Sequence, residues 1–276
     1  MIDCSLPSDD DPLKQIEACI KIMKCIGESP GVSVELDMSG ISWVVPCSAI
    51  LLSNVMDRLS KKGIFFSYRN PTENKVIKYL TSIGFPFGKQ GIGSTYCPVH
   101  HFSTDIDKEM NQVLEIVDNN FPQTSTGAIK YILSELADNV SEHSKFTHAT
   151  IMAQFFDRKG FIDIGIVDNG ISIPRLFEIN NIAFESDANA IELAISGTST
   201  KGQDRGFGLP TTKNIVEKGL EGEFYILSRN GGIYIKKGSQ SKLFKVESNS
   251  VFGTFVYIRF KKPQQKLNIN QWTSTK

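Results

Sequence analysis

The stretch Phe161-Ile162-Asp163-Ile164-Gly165-Ile166-Val167-Asp168-Asn169-Gly170 decides how this chain is read. Its alternating apolar residues predict a strand from Phe161 to Val167 that stops abruptly at an aspartate and a glycine. Just upstream, Ala149 to Phe156 is a second strand candidate, and Asp157-Arg158-Lys159-Gly160 between them is a hairpin signal. An aspartate at the end of a buried strand is costly to desolvate without a partner. Asp168 is therefore a candidate acceptor for a ligand hydrogen bond, such as one from an exocyclic amine. An ordinary Asp-Asn-Gly turn has the same sequence. Against that reading, Gly170 leads to Ile173-Pro174 and a long loop, not to a strand at hairpin distance.

Working outward, Pro122-Gln123-Thr124-Ser125 breaks the chain and caps a helix with Ile129, Ile132, Leu133 and Leu136 facing inward. Glu135 and Asn139 lie four apart on that helix and share a face. The carboxylate can orient or deprotonate a nucleophile and the amide oxygen can bind a hard cation; a solvated helix face carries the same residues. Residues 169–206 read as long, polar and irregular. They lead into Gly206-Phe207-Gly208-Leu209, directly before a helix from about Leu209 to Lys218. Two glycines let the backbone approach phosphate oxygens, and a helix N-terminus adds free N–H groups. Thr211 stands where the third glycine of a dinucleotide fingerprint is due, and there is no G-x-x-x-x-G-K-[ST] loop. Lys201 and Arg205 on the same segment can reach a γ-phosphate, or serve as solvated loop charges. Three strand candidates follow: Glu223 to Leu227, Gly232 to Lys236, and Phe252 to Phe260, the last opening with Gly253-Thr254.

Each signal is modest, but their order is specific. A helix with Glu135-x-x-x-Asn139, a strand into Asp168-x-Gly170, a loop into Gly206-x-Gly208-Leu209 and a terminal strand with Gly253-Thr254 resembles the GHKL, or Bergerat-fold, ATP-binding family. That family includes histidine kinases, anti-sigma serine kinases, gyrase-type topoisomerases, and mismatch-repair and chaperone ATPases. The resemblance covers about residues 103–262. It implies an α/β (α+β) fold, a two-layer sandwich with a mixed β-sheet, holding ATP and Mg2+. It assigns Glu135 to the catalytic carboxylate, Asn139 to magnesium and Asp168 to the adenine amine. Gly170 would make room for the ring, and Thr254 would support Asp168 through water. Ile173, Lys201, Arg205, Gly206, Gly208 and Leu209 complete the ATP-binding set, the last three at the phosphate end and lid. His143 matches a position where the family often has an aromatic residue or histidine, and it receives no catalytic role. Ser172 stands where the family's second glycine belongs.

The N-terminal half is a separate α/β unit. Pro12 after three aspartates opens a helix with Leu13, Ile16, Ile20 and Met23 on one face. A strand from Val32 to Leu36, the turn Asp37-Met38-Ser39-Gly40 and a strand-like Ile41 to Val45 follow. Then come a helix from Ala49 to Leu59, a strand from Ile64 to Tyr68 and a helix from Asn74 to Ile83. Residues 30–86 resemble the middle of a STAS domain, the fold of anti-sigma factor antagonists. The phosphorylatable D-S-S-G of that family is replaced by Val45-Pro46-Cys47-Ser48-Ala49, so a docking role is expected rather than regulated phosphorylation at Ser48. Phe85 to Gly93 is the candidate boundary loop. The division expected is a STAS-like regulatory or docking domain over 1–102 and an ATP-binding domain over 103–276.

Composition agrees with a two-unit globular chain: 276 residues, 40% hydrophobic and 22% charged. Thirty basic and thirty acidic residues leave no net charge, which disfavours a nucleic-acid partner. Five scattered cysteines suit a reducing compartment. The acidic N-terminus is not a secretory signal, and no apolar run approaches the ~18 residues of a membrane span. A cytoplasmic signalling protein is expected. Cys97, His100 and His101 read as an incidental cluster without a second ligand pair. The function implied is ATP hydrolysis or phosphoryl transfer to a protein partner, in the manner of an anti-sigma serine kinase, with a possible homodimer. The alternative is a non-catalytic, nucleotide-gated interaction switch.

Overall fold

The computed structural model describes the chain except residues 30, 90, 92, 105, 199–207, 247–250, 264–266, 268–270 and 272–276. For residues 124, 142–144, 251 and 252 it describes the backbone alone. Strands β1 (Ile2–Asp3), β2 (Ser33–Asp37) and β3 (Phe65–Arg69) form a small parallel sheet in that order. It is accompanied by helices α1 (Pro12–Glu28), α2 (Pro46–Ser60) and α3 (Asn74–Ser82). The second sheet contains β4 (Tyr96–Phe102), β5 (Ala149–Phe156), β6 (Phe161–Asp168), β7 (Glu223–Arg229), β8 (Gly231–Lys236), β9 (Lys242–Lys245) and β10 (Val251–Lys261). Its order is β4-β5-β6-β10-β7-β8-β9. Helices α4 (Asp107–Asn120), α5 (Gln123–Asp138), α6 (Ile173–Ile179), α7 (Asp187–Ile195) and α8 (Gly208–Asn214) belong to this second unit.

The sheet expected to be mixed is antiparallel at every pairing; parallel pairing is confined to the small sheet. Strand β4, which the expected division at 102 leaves with the first unit, is hydrogen-bonded to β5 at the edge of the second sheet. The pairing places β4 in the second sheet. The loop 169–206 is not wholly irregular. Ser172 and Ser186 each accept a hydrogen bond from a backbone N–H three residues on, at Arg175 and Asn189, and these caps start α6 and α7.

In the first unit, Asp11 caps α1 by accepting from the Leu13 N–H at 2.9 Å, with Pro12 at the first helical position. The segment 41–45 is not a strand. Its backbone is claimed by a side chain: fully buried Gln15 donates to the Trp43 carbonyl and accepts from the Val45 N–H. The same Gln15 oxygen accepts from the Ser48 hydroxyl at 2.8 Å, and Ser48 is wholly buried, out of reach of a kinase in the folded chain.

Period-two alternation gives the large sheet two apolar faces. Ile162, Ile164, Ile166, Val256 and Ile258 point toward the helices α4, α5 and α7. Met152, Val167, Tyr225, Phe255 and Tyr257 point the other way, into one core with the first unit. Helix α2, buried continuously from Pro46 to Asp57, covers this second face. It crosses at Gly165, where a Cβ would lie 2.5 Å from Ile50 Cδ1.

Asp163 and Arg259 also lie on this inner face. The guanidinium donates to both carboxylate oxygens at 2.7 and 2.8 Å and to the Asp10 carbonyl at 2.7 Å, tying the N-terminal segment to the sheet. Arg259→Met leaves the fully buried Asp163 without its counter-charge. Urea unfolding is expected to show a loss of about 3–5 kcal/mol; a loss below about 1 kcal/mol would mean that Asp163 is satisfied by other groups.

Candidate functional site

The helix α5 buries Ile129, Ile132, Leu133 and Leu136, which leaves Tyr131, Glu135 and Asn139 on its more open side. Past Asp138 the helix widens into a π-helical turn, Asn139–Ser144, and ends at Lys145 in the left-handed region (φ 46). Such π-turns recur at functional sites. The Asn139 Nδ2 is buried and has no hydrogen-bond partner among the described residues. Because an amide can present its nitrogen or its oxygen by a flip, Asn139 has unspent capacity toward a ligand. The donor set fits magnesium, which takes few protein oxygens and keeps phosphate and water as its other ligands.

Glu135 is half-buried and meets the head of α8. A Cβ at Gly208 would lie 2.5 Å from Glu135 Oε2. Tyr131, one turn before Glu135, lies beside this carboxylate and beside Thr211 of α8. Burial, and then the Glu135 carboxylate, push the Tyr131 phenol up to about 12. Tyr131 and Thr211 thus stand between α5 and α8, and neither was singled out by motif reading.

Asp168 is 4% exposed at the end of β6, and its Oδ1 accepts from the Gly170 N–H at 2.7 Å. The strand β10 brings Gly253 against this turn: a Cβ there would fall 2.4 Å from Asp168 Oδ1 and 2.6 Å from the Gly170 nitrogen. Only a glycine allows that approach. Gly253→Ala is expected to displace Asp168 and Gly170 and to weaken ATP binding at least about tenfold; retained affinity by calorimetry would separate this turn from the nucleotide.

Thr254 has a partner within the sheet. It stands opposite Ser228 in the β10–β7 register, and the two hydroxyls are 3.0 Å apart. Ser228 also accepts from the Ile173 N–H and donates to the Gly253 carbonyl, so it ties the start of α6 to the Gly253-Thr254 pair. Nothing in the sequence pointed to Ser228. Ile173 and Leu209 both pack against the helix-side core. Ser172, in place of a second glycine, has φ −70 and ψ 156, an extended conformation open to any residue. Lys201, Arg205 and Gly206 lie outside the described residues, as does the His143 side chain.

The structure therefore makes two direct junctions, Glu135 with Gly208 and Asp168 with Gly170 and Gly253. The chain from Asn139 to His148 links them. Asn169 Oδ1 accepts from the Thr147 and His148 N–H groups at 2.9 Å, fastening the end of that segment beside Asp168. An antiparallel sheet layered on helices, with one junction at the ends of its central strands β6 and β10 and the other between α5 and α8, is a GHKL-type ATP-binding sandwich. The family model for histidine kinase-, DNA gyrase B-, and HSP90-like ATPases matches residues 125–264, about half of the chain, and the chain belongs to that family. No curated protein matches the sequence significantly. No helix among the described residues is long and apolar enough to cross a membrane.

Proposed function

We propose that the chain binds ATP with magnesium and uses Glu135 to activate a water or a protein hydroxyl for attack on the γ-phosphate. The observation that carries this reading is the contact between the Glu135 carboxylate and Gly208, at the head of the lid helix. It supports a phosphate tail ending beside a group able to take a proton. Asp168 would accept the adenine amine. Asn139 would hold magnesium through its amide oxygen, where the ion neutralises phosphate charge. Lys201, Arg205 and Gly206 would contact the phosphates from the loop ahead of Gly208. Phosphoryl transfer asks mainly for positioning and charge neutralisation, and these groups supply both.

A serine-kinase-like activity on a protein partner is the finer reading. The first unit supports it: its STAS-like order of elements would serve docking, and the outer strand β3 leaves Phe65 71% and Tyr68 42% exposed. A homodimer could use the same surface. The switch reading, in which nucleotide orders the lid without turnover, draws support from Tyr131, which already stands beside Glu135. Incubation of the purified chain with γ-labelled ATP, alone and with proteins encoded nearby, tests these readings. Released phosphate marks hydrolysis and a labelled protein marks transfer. ATP bound with neither product would leave only the switch.

A further inference from the structure

A group of side chains apart from the nucleotide site closes the seam between the two units. His101 on β4 and His148, just ahead of β5, stack with ring centroids 5.3 Å apart. Asp57 of α2 reaches the same place from the first unit. One ligand atom from each of the three lies within 4.8 Å of the other two. The Asp57 and His148 side chains are 13% and 6% exposed. Asp57 Oδ2 and His148 Nε2 face each other at 3.4 Å, and both atoms are buried. We propose that Asp57, His101 and His148 form a zinc site that fastens α2 to the ATP-binding sheet.

Two imidazoles and a carboxylate are a common donor set for Zn2+. The His101 Nε2 lies 3.0 Å from the Pro86 carbonyl, which can only accept, so Nε2 carries the ring proton and Nδ1 the lone pair. A backbone carbonyl holding the distal N–H is the support that zinc-bound histidines ordinarily have. His101 Nδ1 is 2.8 Å from the Thr150 hydroxyl, which also accepts from Asn54 of α2. An arriving ion takes this nitrogen and leaves the Thr150 oxygen or a water as fourth ligand.

The seam already holds a cation. The Lys61 ammonium lies 2.7 Å from Asp57 and 3.5 Å from His148 Nδ1. With its side chain 61% exposed, Lys61 can swing into water. The ring proton of His148 then moves to Nδ1 through solvent, and the Nε2 lone pair faces Asp57. Since the His148 N–H also holds Asn169, zinc would link the docking unit to the turn that carries Asp168.

The test uses the full chain, stripped with a chelator and free of nucleotide, so it stands apart from the ATP reading. Zn2+ is titrated by calorimetry and Co2+ by visible absorption. One ion per chain is expected, with Kd of about 1 μM or tighter and the visible bands of four-coordinate cobalt. Thermal unfolding should shift upward with zinc and return with chelator. His148→Gln and Asp57→Asn, checked for folding by circular dichroism, should each weaken binding at least about tenfold. Lys61→Met, a surface change, should tighten it several-fold by removing the competing ammonium. The proposal is overturned by absence of stoichiometric zinc binding at about 100 μM, or by unchanged binding in folded His148→Gln. Unchanged affinity in Lys61→Met overturns it too, even if the other variants fail to fold.

Discussion

Glu135→Gln is expected to remove phosphate release and label transfer by about 10²–10⁴-fold, while ATP affinity changes by less than about threefold. The split follows from geometry. Glutamine keeps the length and shape of glutamate, so it can fill the same space against Gly208 and the junction between α5 and α8 survives. What it loses is the ability to take a proton. Asp168 and Gly253, which face the proposed adenine end, are untouched. Steady-state phosphate release beside equilibrium binding measures both quantities on one preparation. Equal rates for the two proteins would eliminate the enzyme and leave the switch. A large loss of affinity instead would mean that Glu135 acts by binding nucleotide.

For Asp168→Asn the expected result is the reverse: weaker binding at a nearly intact maximal rate. An amide replaces a carboxylate with two accepting oxygens by one oxygen and one donating nitrogen. The Gly170 N–H already requires one oxygen, at 2.7 Å, so asparagine can hold the turn but no longer accept from an adenine amine as well. A charge-assisted hydrogen bond of about 1.5–3 kcal/mol is lost, which is roughly ten- to a hundredfold in affinity. Calorimetry with ATP and ADP reads this directly, and both should weaken alike because the contact is to the base. Affinity equal to wild type would show that adenine is held elsewhere.

The parts legible in advance were those written by local rules. The β5–β6 hairpin followed from two alternating runs around Asp157-Arg158-Lys159-Gly160, and its strands stand at 149–156 and 161–168. Helix α1 followed from Asp11 and Pro12. The loop 169–206 was misread because its two helices are short and announced by single serines, Ser172 and Ser186, rather than by long periodic faces. The strand expected at 41–45 failed for a nonlocal reason: Gln15, some thirty residues away, takes the backbone bonds that a neighbouring strand would have supplied. Ser228 and Tyr131 were invisible for the same reason, since each matters only through partners brought up from other elements.

What residue order determined unaided is the family and the ordered motifs, because Glu135 and Asn139 need only one helical turn, and Asp168 and Gly170 one strand end, to be placed. What folding in three dimensions decided is which groups meet. The register of β10 sets Gly253 against Asp168 and Thr254 against Ser228. The apolar second face of the sheet draws α2 across it, burying Asp57 beside His148. Backbone periodicity acts over a few residues and can be read along the chain. Contacts between distant segments depend on which apolar surfaces exclude water together, and that is settled only when the whole chain packs.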